Sequence, residues 1–477
     1  MEDTLLYRSA SQLALMIQQQ ELSSRELMEA SLARIRSINP HINAIVSLDE
    51  ERALKGADEA DRALASGAVT GPFHGLPIAV KDTHHAEGFP TTFGSLAFKD
   101  HISTSDDLIT ERLKQAGAIV IGKTNVPEFA AGSHTFNQVF STTRNPYDLT
   151  KTAGGSSGGA AAAVASGLIP FADGSDMGGS LRFPAAFNNV VGLRPSPGRL
   201  PMYPKAAPFS PLAVQGPITR STEDAFFMLS TLAGPDPRAP ISIEEPGSVF
   251  TKPLHNDISG MKIAWSADFG GQLPIEPEIQ RVFKEQLSIF EKDLGCELEE
   301  ACPSFQEAEE AFQILRAWEF ELTYKDIANK HGELLKDSFM TNFQKGQRLS
   351  GPDIGRAEQL HHNLYHRLRL FFETYDALLL PVSQVVPFSA DIEYPSSING
   401  LPMHSYLDWM KSCYYISAAG NPALSIPGGF TADHLPTGLQ IVGPHHADYE
   451  VLRIGQAFEK AAAYGEKRPV FPAVTNE

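Results

Sequence analysis

The chain has 477 residues, 42% hydrophobic and 20% charged, enough for two or three average domains or one large enzyme domain with a sizeable core. Its 57 acidic against 39 basic side chains give a net charge of −18, which argues against the clustered Lys and Arg of a nucleic-acid or anionic-membrane surface. Three cysteines, Cys296, Cys302 and Cys413, with no C-x-x-C spacing, support neither a disulfide framework nor a cysteine zinc site and fit a reducing cytoplasm.

The first residues, MEDTLLYRSASQ, lack a basic stretch followed by an apolar core, so no secretory leader is expected. No apolar run approaches the ~20 residues of a membrane helix. Residues 9–65 read as helices: Ser23-Ser24-Arg25-Glu26 is a capping-box pattern, Met28, Leu32 and Ile35 follow at helical spacing, and Asn39-Pro40 closes the segment. LPIAVKD (76–82) is a short apolar run ending in charge, as a buried strand would. DDLITERLKQAG predicts a helix stopping at Gly117, and AIVI after it a strand, an alternation expected of an α/β layered core. Residues 150–220 are dense in Gly, Ser and Pro, which suggests backbone packed closely against a ligand or other backbone. Residues 235–258 form a Pro-rich connector, and 275–376 are polar and helical in period. From 377 the chain is core-like again, with DALLLPV, NPALSIPGGF and TGLQIVG as strands. The expectation is one large α/β domain with a helical excursion, divided as 1–65, 66–235, 236–376 and 377–477.

Three motifs are decoys on this reading. Gly117 and Gly122-Lys123-Thr124 have P-loop spacing, but the four residues between are apolar, three of them bulky and β-branched, and read as the strand itself. His361-His362 and His366 include an i, i+4 pair, yet no HExxH or third ligand accompanies them, so a solvated helix face is the blander account; His84-His85 and His445-His446 are equally ambiguous. Gly154, Ser156 and Gly158 match G-x-S-x-G, the nucleophile elbow, but the elbow needs a strand directly before its serine. Turn chemistry, NPYDLTKTAGG, stands there instead, and GGAAAAVASG after it reads as a tightly packed helix ended by Gly167.

A second glycine-serine cluster, DGSDMGGSLRFPAA (173–186), offers consecutive N–H groups at Met177, Gly178, Gly179 and Ser180 beside the Ser180 hydroxyl. Such donors stabilise a developing oxyanion by about 3 kcal/mol each. LRFPAAF is expected to begin a helix whose positive end faces the same spot. A serine nucleophile needs a base, no histidine lies in either cluster, and Lys81 at the end of an apolar strand is a replacement if burial lowers its pKa. A strand-end surface charge is the plainer reading of that lysine taken alone.

Together, VKD (80–82), GKTNVPEFAAGS (122–133), GGSSGG (154–159), GSDMGGSLRFPA (174–185) and GPITRS (216–221) resemble the amidase signature family, with 75 residues from Lys81 to Ser156 and 24 from Ser156 to Ser180. The resemblance implies an α/β/α sandwich whose mixed, mostly parallel central sheet is surrounded by helices. It implies Ser180 as acyl-accepting nucleophile, Ser156 as the middle serine held by a cis peptide, and Lys81 as terminal base. The family's oxyanion hole falls on the backbone of Met177, Gly178, Gly179 and Ser180, with Asp176, Arg182 and Ser157 bracing the loop. No metal or organic cofactor is required by this chemistry.

Substrate choice is expected to lie outside the signature, with Phe129, Phe136, Met202, Tyr203 and the aromatic-rich segment 383–415 as candidates to line a roomy, apolar pocket; core packing is the competing account of any single aromatic. SDMGGSLRFP stands where the branch of glutamyl-tRNA amidotransferase A-type chains usually has TDTGGSIRQP, which favours a stand-alone cytoplasmic amidase for a small-molecule amide, ester or carbamate, compatible with a homo-oligomer. The alternatives are an amidotransferase A-type chain releasing ammonia from glutamine and a non-catalytic assembly component.

Overall fold

The computed structural model describes residues 5–252 and 255–471. The leader reading at residues 1–4 and the connector positions 253–254 lie outside the described residues. The amino-terminal region folds as helices Ala10–Gln18, Ser24–Ile42 and Glu50–Ala65. The predicted capping box is present: Ser23 Oγ accepts the Glu26 N–H at 3.0 Å, and the Glu26 carboxylate accepts the Ser23 N–H at 2.8 Å. The helix runs past Asn39-Pro40 to Ile42, so the expected stop comes a turn late. Asn39 closes it from below, its Oδ1 accepting the N–H groups of Ala44 and Ile45, both at 2.9 Å.

Two sheets follow. In the smaller, Ile119–Thr124 lies between Ile45–Leu48, antiparallel to it, and Pro77–Lys81, parallel to it. The P-loop match is thus a strand paired on both sides. Pro77–Lys81 is buried at every position, so its terminal lysine is carried into the interior rather than out to solvent.

The larger sheet has eight strands in the order Glu297–Glu300, Lys262–Trp265, Ala377–Pro381, Pro436–Val442, Ala423–Phe430, Val191–Arg194, Val214–Thr219 and Phe171–Asp176. It is mixed, as expected, but not mostly parallel. The first three strands run parallel, and the other five junctions are antiparallel. At one of these junctions a short connection enforces the direction: Ala423–Phe430 and Pro436–Val442 are joined by residues 431–435, closed by Thr431 N–H to Leu435 O at 2.9 Å. A parallel crossover needs a dozen residues or more.

The helix Gly158–Ala165 is buried along its whole length and packs against strands of both sheets. Its small residues make that approach feasible. A Cβ on Gly159 would stand 2.3 Å from Asn125 N and 2.7 Å from Ala44 O. In the region 275–376 the helices Pro277–Ser288, Ala308–His331, Asp337–Gln347 and Gly351–Phe371 appear as expected, interrupted by the edge strand Glu297–Glu300. Among the described residues no helix is long and apolar enough to cross a membrane.

Candidate active site

Lys81, Ser156, Ser157 and Ser175 meet at the junction of the two sheets. Lys81 is fully buried. Its Nζ lies 2.8 Å from Ser156 Oγ, 2.8 Å from Ser157 Oγ and 2.9 Å from Ser175 Oγ. Hydroxyls donate and accept, so this cage serves the amine whether or not it carries its extra proton. Burial lowers the lysine pKa from 10.5 to about 7, against the pull of Asp173 and Asp176. A neutral amine, able to take a proton, is therefore well populated near pH 7.

The Gly155–Ser156 peptide is cis. The turn expected before it contains a short ribbon strand, Asp148–Thr152, paired with Arg144–Asn145 and separate from both main sheets. Three residues then intervene before Ser156, so no central strand delivers this serine as an elbow would require.

Asp176, at the end of Phe171–Asp176, organises the second cluster. Its carboxylate accepts from Arg182 Nη2 at 2.9 Å, Arg182 Nε at 3.0 Å, Gly179 N–H at 2.8 Å and Leu181 N–H at 3.2 Å. Arg194, which the sequence reading did not single out, adds a second guanidinium: it donates to the Asp176 carbonyl at 2.6 Å and lies 3.4 Å from Oδ1. Burial alone would raise the Asp176 pKa, but the two arginines overcome it and hold the carboxyl well below the usual carboxylate range. Gly179 takes φ +114°, and a Cβ there would meet the Phe183 ring at 2.4 Å and Cys413 Cβ at 2.5 Å. Its N–H is turned onto Asp176, which leaves Met177, Gly178 and Ser180 as the candidate oxyanion donors. The helix Arg182–Phe187 exists but has only six residues, too short for a sizeable dipole effect.

Ser156, Ser175, Met177, Gly178 and Ser180 border a cavity of about 560 Å³, and Lys81 sits behind that wall. Much of the remaining lining is aromatic: Phe93, Phe98, Phe129, Phe320 and Tyr324 border the cavity, with Phe93–Phe129 centroids 5.8 Å apart and Phe129–Tyr324 5.0 Å. Three charged residues on the wall, Arg316, Glu319 and Lys205, have protein partners, whereas Asp107 Oδ1, also on the lining, has none among the described residues. Arg316 donates to Asn342 Oδ1 at 2.7 Å and to the Tyr406 hydroxyl; Glu319 accepts from Ser210; Lys205 Nζ donates to Ser210 O at 2.6 Å.

Of the sequence candidates for this pocket, Phe129 and Met202 line it, as do Tyr406, Leu407 and Met410 from segment 383–415. Phe136 and Tyr203 do not. The Phe136 ring packs on His134, 4.9 Å between centroids, under Lys336 Nζ at 3.6 Å, while Tyr203 is 47% exposed. The sequence reading gave no role to Ser175 and Asp173, although both stand in the second glycine-serine cluster, and left His84, the third residue after Lys81, ambiguous.

A family model described as "Amidase" matches residues 26–452. An acylamidase from Rhodococcus erythropolis is 37% identical over 473 residues, covering 98% of each chain. The A-type chain of the glutamyl-tRNA(Gln) amidotransferase of Geobacillus thermodenitrificans is 34% identical over 492 residues, covering 98% of this chain and 100% of its own. The crystal structure of a bacterial aryl acylamidase of the amidase signature family superimposes with a TM-score of 0.89 at 29% identity, covering 97% of this chain and 99% of its own. The chain belongs to the amidase signature family. It is an amidohydrolase, an enzyme that breaks carboxylic amide C–N bonds.

Proposed function

We propose that Ser180 is the nucleophile, Ser156 the relay and Lys81 the base of a stand-alone amidase for acyl amides carrying an aromatic or bulky apolar group. The observation that carries this is the 2.8 Å contact of a buried, readily neutral amine with Ser156, on the wall that Ser180 shares. Neutral Lys81 takes the Ser156 proton as Ser156 takes that of Ser180. Ser180 Oγ bonds to the substrate carbonyl carbon, and the oxyanion rests on the N–H groups of Met177, Gly178 and Ser180. As the C–N bond breaks, the relay returns the proton to the leaving amine. Water then gives its proton to the same relay, attacks the acyl-enzyme and frees the acid, regenerating Ser180. The residues present supply nucleophile, base and oxyanion donors, so the sequence of steps closes without a metal or organic cofactor.

The apolar side of the substrate is assigned to the rings of Phe93, Phe98, Phe129, Phe320 and Tyr324, beside which Arg316 and Lys205 are held by protein partners. Esters and carbamates of the same shape share the acyl chemistry and are expected as secondary substrates. Two experiments test the reading. A fluorophosphonate should label the native protein once per chain and fail on Ser180→Ala, whose turnover should be lost; labelling that survives the substitution overturns the nucleophile. A panel of aliphatic amides, aryl amides, peptide amides, esters, carbamates and glutamine should favour the aryl and bulky acyl members. Turnover confined to glutamine would instead mark an amidotransferase A-type chain.

A further inference from the structure

One buried carboxylate–imidazole pair beside the site has no place in these steps. Asp173, on Phe171–Asp176, is fully buried. Its Oδ1 accepts the Lys81 backbone N–H at 3.0 Å, and its Oδ2 lies 2.5 Å from His84 Nδ1. His84 follows Lys81 by one tight turn, its own N–H donating to Lys81 O at 2.9 Å. The imidazole is 5% exposed and borders the catalytic cavity. With Nδ1–H given to Asp173, the tautomer is fixed and Nε2 is turned away from the carboxylate.

The arrangement matters because of what surrounds the amine. Among the described residues Lys81 Nζ hydrogen-bonds only to hydroxyls, yet two carboxylates, Asp173 and Asp176, act on it through space, and each favours the protonated form. Asp176 is covered by Arg182 and Arg194. Asp173 has one side chain in hydrogen-bonding contact among the described residues, and it is His84. Lys123 acts on Asp173 through space only: its Nζ donates to the His84 carbonyl and, at 3.0 Å, to Thr91 Oγ1. His84 is faced in turn by Asp107 and His85, which are linked by His85 N–H to Asp107 Oδ2 at 3.0 Å. An uncovered carboxylate in this position would hold the proton on the base and stop it acting.

We propose that His84 is a positioning residue for the base: it pins the turn after the lysine strand and shields Lys81 from the charge of Asp173. The inference rests on Lys81 being the base. Removing the carboxylate should therefore free the amine, and removing the imidazole should burden it.

The test is the acid limb of kcat/KM against pH, read on one aryl amide and one aliphatic amide. A charge a few ångströms away moves a titration by about 1–3 pH units when bare. Asp173→Asn should move the limb about one unit towards acid, and His84→Asn about half a unit to one unit towards alkali. In the double variant the limb should match Asp173→Asn alone, because no carboxylate remains to shield. His84→Gln supplies a second neutral donor if His84→Asn folds poorly. If both single variants lose rate by the same factor at every pH, with the limb unmoved, His84 and Asp173 only brace the turn and the inference is overturned. Failure of the base assignment looks different: Lys81→Met would then keep its turnover.

Discussion

Lys81→Met should abolish turnover and yet stabilise the protein at neutral pH. In the unfolded chain the lysine titrates at its ordinary 10.5, and in the fold at about 7. Between those values the unfolded chain holds a proton that the folded chain does not, so this group makes stability rise with pH from about 7 to 10.5 and leaves it lowest below 7. A gap of that size is worth about 5 kcal/mol. Methionine has similar bulk and carries no such cost, but it forfeits contacts with the hydroxyls of Ser156, Ser157 and Ser175. Each is worth about 1 kcal/mol. The variant should then be more stable than the parent by about 2 kcal/mol at pH 6.5 and less stable by about 3 kcal/mol near pH 10.5. Guanidinium chloride midpoints of both proteins at the two pH values read this directly. Other buried titrating groups, Lys123 at about 8 among them, are common to both chains and cancel in the difference. A stability difference with the same sign and size at both pH values would refute the claim that the fold holds this amine uncharged.

In the parent enzyme, kcat/KM should fall tenfold per pH unit below about 7 and level off above about 8; a profile flat down to pH 5 contradicts a lysine base. Asp176→Asn leaves Arg182 and Arg194 buried without their counter-charge and should cost about 3–5 kcal/mol, seen as a lowered denaturation midpoint, with turnover falling too. An unchanged midpoint would show that the two arginines do not depend on this carboxylate. Gly179→Ala must place a Cβ against Phe183 and Cys413 at a left-handed φ, so it should either fail to accumulate folded protein or lose kcat by about 10²-fold. Phe129→Ala should raise KM for an aryl amide about tenfold and leave that for a small aliphatic amide within about twofold, read by steady-state kinetics.

The elements that sequence reading found were those with a strong local signal. The capping box at Ser23, the fully apolar run before Lys81 and the glycine-ended helix after Ser156 each carry their structure in a few adjacent residues. Several strands escaped, Phe171–Asp176, Val191–Arg194, Val214–Thr219 and Lys262–Trp265 among them, and two more show what the missing signal is. Ile45–Leu48 is half-buried and only four residues long, and Glu297–Glu300 is charged because it forms a sheet edge. Strand direction escaped too, since an apolar run reads the same either way and only the connections decide it. At the site, Lys81, Ser156 and Asp176 were legible from spacing and the family pattern. Arg194 was not: it lies between the quoted motifs in an ordinary buried strand and reaches Asp176 only after the sheet has formed. Phe136 and Tyr203 carry rings that a pocket could use, but the sequence does not say which way a ring turns.

The amine and the second glycine cluster belong to different sheets, and the alanine helix Gly158–Ala165 is wedged between them. On the proposed mechanism the proton's route crosses a seam. Sliding one sheet against the other by the width of a single hydrogen bond would silence the enzyme while every strand stayed paired. Chemistry here gauges alignment at that seam, and in denaturant it should vanish before secondary structure does.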